Sequence, residues 1–314
     1  MNDMNGTEII IFLANNLQSV ASVVGPVAGA LFTAIFLRHN TKANEFEKIK
    51  AGQFEEVAND LLASGKMTYT EYYKANNFLK VAKKADEYYK KNYRDAKKDK
   101  EIQPYDFDWF VRFFEAVGNV SDETMQNLWA KILAGEIAQP SSFSLRMIDI
   151  LRNMSKKDAE LFVKVCSYSI KSSATNYFLP NENVFLDDVG IRYVDIMKLS
   201  ELGLMFNDGS ITLSITINNE PRLLFNNDNL LLLISSSGHE EKVHISQYPF
   251  TEVGRELSNI VNKNISDDDF LKYAILLRNK GQNISVHRLI GKENDLIEYD
   301  ETNLIASKEL TVNE

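Results

Sequence analysis

Residues 9–37 read IIIFLANNLQSVASVVGPVAGALFTAIFL, a run without a single Asp, Glu, Lys or Arg. As one helix this stretch, Ile9–Leu37, would rise about 43 Å, beyond the ~30 Å hydrocarbon core of a bilayer. Its second half, from Val20, carries almost no polar side chain. Charge brackets it asymmetrically: Asp3 and Glu8 precede it, while Arg38, His39, Lys42, Lys48 and Lys50 follow. Basic flanks stay inside, so Arg38 and Lys42 set the orientation. The expectation is one membrane span, N-terminus out, with the rest of the chain as a cytoplasmic body. A cleaved signal peptide wants a basic start and a small-residue cleavage site, and this start has neither. The competing reading is a buried helix or hairpin of the protein itself, favoured by Asn15, Asn16 and Gln18.

Within this run Ala21, Gly25, Gly29 and Thr33 recur every fourth residue. Residues four apart share a helix face, and small ones let two backbones approach closely. Pro26 removes one ladder hydrogen bond and bends a helix there. Gly25, Pro26, Gly29 and Thr33 are therefore the candidate helix-packing residues of a self-associating span. A span that only anchors, or a turn at Gly25-Pro26, is the alternative.

Outward from this run the charge changes sign. Residues 38–100 hold 15 basic and 10 acidic side chains, whereas residues 101–314 hold 20 and 32. A basic collar beside an apolar segment suits anionic lipid, and inner-membrane lipid is the expected contact. The acidic remainder makes nucleic acid an unlikely partner, because phosphate binding needs a basic face. One cysteine, Cys166, excludes an intrachain disulfide and a cysteine-cluster metal site.

The pattern divides the chain into an N-terminal hydrophobic segment (1–39), a charged helical hairpin (40–104), a helical bundle (105–178) and an α+β domain (179–314). In the hairpin a turn falls at Ser64-Gly65, and Thr70 caps a long second helix whose surface alternates Tyr and Lys. In the bundle Asp106 or Asp108 opens an aromatic helix that Gly118-Asn119 closes, and Ser121 caps the next. Ser144 and Ser155 start two more, the last running through Ile170. Trp109, Phe113, Trp129 and Leu133 fall at core positions and are expected to anchor it.

These residues also carry a resemblance. The run DWFVRFFEAVGNVSDETMQNLWAKILAGEIAQPSSFSLRMIDILRNMSKKDAELF (108–162) is similar to an uncharacterised bacterial domain-of-unknown-function family. That family looks like a relative of the abortive-infection alpha proteins of prophages and phage-defence loci. The similar features are Asp108-Trp109-Phe110, Asn119–Glu136 and the Ser144–Phe162 run. The resemblance implies a defence-associated, membrane-linked role and supplies no catalytic residues.

Beyond Asn181, residues 186–204 read as one helix and Ile211–Ile217 as a strand. Short strands follow at 222–225, 230–235 and 242–246, then a helix from Thr251 in the pattern T..G.EL, a helix at 267–280 and a strand at 283–290. Helix, β-ribbon and helix in this order suggest a winged-helix-like domain, with a polar tail after Glu298. The expected class is thus mainly α with an α+β C-terminal part.

No chemistry emerges. His39, His239, His244 and His287 lie far apart, without metal-ligand spacing. No phosphate-cradling or nucleophile-elbow motif is present. No catalytic residue, metal ligand or cofactor is therefore assigned. The expected function is a non-enzymatic anti-phage effector of the abortive-infection type that self-associates, perturbs the inner membrane and answers a protein partner or phage-derived trigger. The alternative is a regulatory module whose winged-helix-like part binds nucleic acid.

Overall fold

The computed structural model describes residues 59, 62–65, 67–93, 106–172, 177–218, 222–225, 229–236, 239–261, 265–293 and 296–305. The chain splits into two compact units, Met1–Lys156 and Lys157–Glu314.

In the first unit, helix α1 (Tyr69–Asn92) starts at Thr68, whose hydroxyl accepts from the Glu71 N–H while the Glu71 carboxylate accepts from the Thr68 N–H. This reciprocal box satisfies two orphan donors, and it places the cap two residues before Thr70. Helix α2 (Phe107–Gly118) is capped by Asp106, and α3 (Glu123–Ala138) by Asp122 rather than Ser121. Ser144 caps α4 (Leu145–Asn153). The buried face of α1 supplies Phe78, which meets Phe110 and Phe114 of α2. Asn77 is buried beside it, donating from Nδ2 to the Gly118 carbonyl at 3.0 Å.

The second unit begins with α5 (Lys156–Cys166), followed by β1 (Ile170–Ser172), β2 (Tyr177–Pro180), α6 (Asn183–Asp188), α7 (Tyr193–Glu201), β3 (Thr212–Ile217), β4 (Arg222–Phe225), β5 (Leu230–Ser235) and β6 (Glu241–Pro249). Helices α8 (Glu252–Val261) and α9 (Asp267–Asn279) then lead to β7 (Asn283–Glu293) and β8 (Leu296–Tyr299). The strand order is β3-β6-β2-β1-β4-β5-β7-β8, with antiparallel neighbours throughout. Strand β5 is buried along Leu230–Ile234. It is therefore apolar without alternation, as a strand covered on both faces must be. Phe162 against Phe250 and Phe185 against Tyr273 extend the core into the helices. Cys166 is buried as well.

Three expectations are corrected. The chain is not mainly α with a winged-helix-like end: an eight-strand order organises the second unit. Its strands β1 and β2 follow directly on a helical pattern, and β4 and β5 are inserted between β3 and β6. The expected single helix over 186–204 is two, broken at Gly190, whose φ of 64° is left-handed. The tail is ordered further than its polarity suggests, with Ile305 fully buried.

The placement as a single pass in the inner membrane is also overturned. Among the described residues no helix is long and apolar enough to cross a membrane. Helix α1 has the length, but Lys80, Lys83, Lys84, Lys90 and Lys91 ride on it. Ile9–Leu37 and its candidates Gly25, Pro26, Gly29, Thr33, Arg38 and Lys42 lie outside the described residues, as does most of the segment before Ser64 where the first helix of the hairpin is expected.

Candidate functional site

The bundle residues singled out by sequence meet in one place. Trp109 stacks on Phe113 with ring centroids 5.0 Å apart, and Phe113 meets Trp129 edge-on at 5.4 Å. These three and Leu133 are buried. Both indole N–H groups are buried and find no hydrogen-bond partner among the described residues. The cluster is a packing centre.

The Gly135-Glu136 pair, which in sequence reads only as a helix end, does separate work. Glu136 is buried and turned back onto the loop after α3, where its carboxylate accepts from the N–H groups of Ser141 (2.6 Å), Ser142 (3.1 Å) and Phe143 (3.2 Å). Burial raises its pKa, and these three donors only partly offset that. A Cβ at position 135 would lie 2.8 Å from the Phe143 ring, so glycine lets the loop close. The signal in the sequence is an acid in an otherwise apolar helix end.

In the second unit His287 on β7 holds a pair of contacts that resembles a hydrolase dyad. Its Nδ1 lies 2.9 Å from the Asp300 carbonyl oxygen and its Nε2 2.9 Å from Ser285 Oγ. A carbonyl can only accept, so Nδ1 carries the proton and Nε2 takes the hydroxyl hydrogen. That is the tautomer a general base needs. Acyl transfer also needs donors aimed at a developing oxyanion. Here the neighbouring Val286 N–H is already given to Asn303 Oδ1 at 3.2 Å. The arrangement ties β7 to the turn after β8. Among the described residues no group of three or more His, Cys, Asp and Glu side chains is placed to hold a metal ion.

Helix α7 turns large apolar side chains outward. The turn before it is closed by Gly190, with the Ile191 N–H donating to the Leu186 carbonyl at 2.9 Å. Asp195 reaches back to the Arg192 N–H at 3.0 Å and takes the guanidinium through both oxygens, each at 3.3 Å. Burial pushes the Asp195 carboxyl up, but the Arg192 hydrogen bonds and charge outweigh it and hold the pKa low. At the other end Gly203, φ 77°, turns the chain, and the Leu204 N–H donates to the Leu199 carbonyl at 2.9 Å. Thr251 clamps this end from α8: its hydroxyl donates to the Gly203 carbonyl at 2.6 Å and its N–H to the Leu204 carbonyl at 3.0 Å.

So held, α7 buries Ile196 and Leu199 and turns the opposite face outward. On that face Tyr193 is 54% exposed, Val194 55% and Met197 39%, and Phe206 beyond the turn is 50% exposed. The Tyr193 hydroxyl reaches the Asn207 carbonyl at 3.4 Å, so the chain after the helix folds back along it. Contiguous exposed apolar side chains of this size mark interaction sites. Around them the charges balance, with Arg192 and Lys198 against Asp195 and Glu201. Lys198 is also paired with Asp158 at 2.6 Å. A nucleic-acid face would be basic here, and this one is greasy and neutral.

A family model described as Protein of unknown function (DUF2806) matches residues 66–275. The chain belongs to this family. No curated protein and no solved structure matches it. The DUF2806 match takes in the Trp109–Trp129 centre, the Gly135-Glu136 loop lock and the whole of α7, and ends before β7 and the Ser285–His287 pair.

Proposed function

We propose that this DUF2806 protein is a non-catalytic interaction component of bacterial anti-phage defence, of the abortive-infection kind, working through self-association and contact with a protein or phage-derived trigger. The observation that carries the interaction reading is the outward face of α7, where Tyr193, Val194 and Met197 are exposed between balanced charges. A rigid helix held at both ends can keep such a face presented without collapsing it onto its own core. The defence context rests on the resemblance of residues 108–162 to a domain-of-unknown-function family that looks like a relative of the abortive-infection alpha proteins. Nucleic-acid binding is the weaker reading, because α7 offers no net positive charge for phosphate.

The test is phage challenge of bacteria expressing the full chain, its Val194→Glu/Met197→Glu variant, or neither. Protection by the wild type that the double variant loses is the expected result. If wild-type cells lyse like the empty control, the defence role is wrong. If the double variant protects as well as wild type, α7 is not the working surface.

A further inference from the structure

We infer that the open edge of β3 pairs with the same edge of a second copy of this chain, the two strands antiparallel about a twofold axis through Leu213. This deepens the self-association in the reading above and rests on it. The Gln247 N–H donates to the Ile211 carbonyl at 3.0 Å, and the β3–β6 register runs on from there, with Thr212 opposite Ser246 and Ile217 opposite Glu241. Alternate residues of an antiparallel strand send their N–H and C=O to opposite edges. Leu213, Ile215 and Ile217 therefore bond β6, while Thr212, Ser214 and Thr216 point away from it. Among the described residues no strand pairs with that outer side. Thr212 and Ser214 are exposed. The strand, TLSITI, has no charged residue, proline or bulge of the kind that blunts an edge.

Two neighbours select the register. The Arg222 guanidinium donates through Nε to the Thr216 carbonyl at 3.3 Å, and the Ser236 hydroxyl to the Asn218 carbonyl at 2.9 Å. Besides the Thr216 N–H, what stays open is the N–H and C=O of Thr212 and of Ser214. A copy placed with its Ser214 against Thr212, and its Thr212 against Ser214, uses all of these groups, because residues so paired exchange both bonds. Arg222 stays where it is. The same register lays Leu213 on Leu213 and Ile211 on Ile215, covering side chains that are half-buried in one chain alone. It also sets Thr216, with Arg222 on its carbonyl, opposite Ser210 of the second copy. Ser210 donates from its N–H and its hydroxyl to Asp208, at 2.8 and 2.7 Å. Arg222 of each chain thus meets Asp208 of the other, an opposite-sign contact made twice. An interface that repeats one patch on both subunits must be self-complementary, and this edge is so in hydrogen bonding, apolarity and charge. One short strand covers less than the ~800 Å² per partner of a standard stable interface. The dimer therefore belongs to the weak, concentration-dependent class.

The experiment is sedimentation of the full chain across a concentration series, using wild type, Ser214→Pro, Arg222→Asp, Asp208→Arg, and an equimolar mixture of the last two. Circular dichroism of each variant checks that the fold is kept. Wild type should dimerise with rising concentration. Ser214→Pro should weaken dimerisation at least about tenfold yet keep the fold, because the N–H it removes points away from β6 and proline is tolerated on such an edge. Arg222→Asp and Asp208→Arg should each self-associate poorly, because each makes the facing charges alike. Their mixture should recover dimer, since the introduced aspartate of one chain then faces the introduced arginine of the other, and the unaltered Asp208 faces the unaltered Arg222. A wild type that stays monomeric throughout overturns the proposal. So does a dimer indifferent to these substitutions, and so does a mixture no better than its components. Phage survival is read separately: a chain that protects through α7 but never dimerises rejects the β3 pairing alone, and one that dimerises through β3 without protecting keeps the pairing while the defence reading fails.

Discussion

Gly254 lies so close beneath the Leu204 carbonyl that a Cβ placed on it would stand 1.9 Å from that oxygen. The contact seats the start of α8 against the turn that ends α7, next to the Thr251 clamp. Gly254 N–H itself donates to Thr251 Oγ1 at 3.1 Å. The T..G.EL pattern visible in the sequence thus records two needs, a hydroxyl that caps and a glycine that permits approach.

Gly254→Ala should accordingly destabilise the second unit. Alanine ordinarily favours a helix over glycine by about 1 kcal/mol, but here the methyl meets backbone, which cannot rotate away. Overpacking of this kind costs about 1–3 kcal/mol. A lower thermal midpoint, with the outward face of α7 losing its order as the clamp shifts, is the expected outcome. A variant as stable as wild type would show that the two helices part more easily than this contact implies.

Glu136 makes a second prediction through pH. Its pKa in the folded state lies above the ordinary carboxylate value because burial penalises the charge more than the three loop N–H donors favour it. The folded state therefore binds the proton more tightly than the unfolded one. Its stability should fall as pH rises from the ordinary carboxylate value through the raised one. Glu136→Gln should flatten that part of the curve in chemical denaturation at several pH values. Glu136→Ala should cost about 1–3 kcal/mol, since it strands the N–H groups of the 141–143 loop, and the cost should shrink as pH rises through the raised pKa. An unchanged pH profile in the Gln variant would reject Glu136 as its source.

Asn77 offers a simpler case. Its amide is buried and gives Nδ2–H to the Gly118 carbonyl at the end of α2. Asn77→Ala leaves that carbonyl without its partner and should cost about 1–3 kcal/mol, read as a shifted denaturation midpoint. Asn77→Asp should do worse, because it turns a donor into an acceptor facing an acceptor. An Asp variant more stable than the Ala variant would contradict the assigned bond.

Sequence pattern reaches the helices well and the sheet poorly, for a physical reason. Asp106 and Ser144 are legible as caps because capping is local, decided within three residues. Thr70 reads as a cap as readily as Thr68, and Ser121 as readily as Asp122, because each is a cap-type side chain able to bond the N–H two or three residues on. Strands β3 and β7 show in their alternation, and β5 as an apolar run bounded by polar residues. The pairing of Lys171 with Phe225, or Phe178 with Pro249, is settled by contacts far apart in sequence. Nothing in the three residues of β1 separates them from the helix they follow. The α7 face is hidden for a related reason: Tyr193, Val194 and Met197 look like core residues until Ile196 and Leu199 are seen to occupy the core.

The Ser285–His287 pair allows the non-catalytic reading to be tested directly. Ser285 Oγ sits 2.9 Å from an imidazole nitrogen whose ring is oriented by the Asp300 carbonyl, which is the first requirement of an activated serine. The second requirement, a preorganised oxyanion site, is worth about 10²–10³ in rate per donor where it exists, and Val286 N–H is committed to Asn303 instead. The full chain treated with an alkyl fluorophosphonate should therefore stay unlabelled at Ser285 by mass spectrometry. Ser285→Ala should leave any background ester hydrolysis unchanged while loosening the turn at Asp300. Stoichiometric labelling that the Ser285→Ala variant abolishes would make this protein an acyl-transfer enzyme and overturn the interaction-only reading.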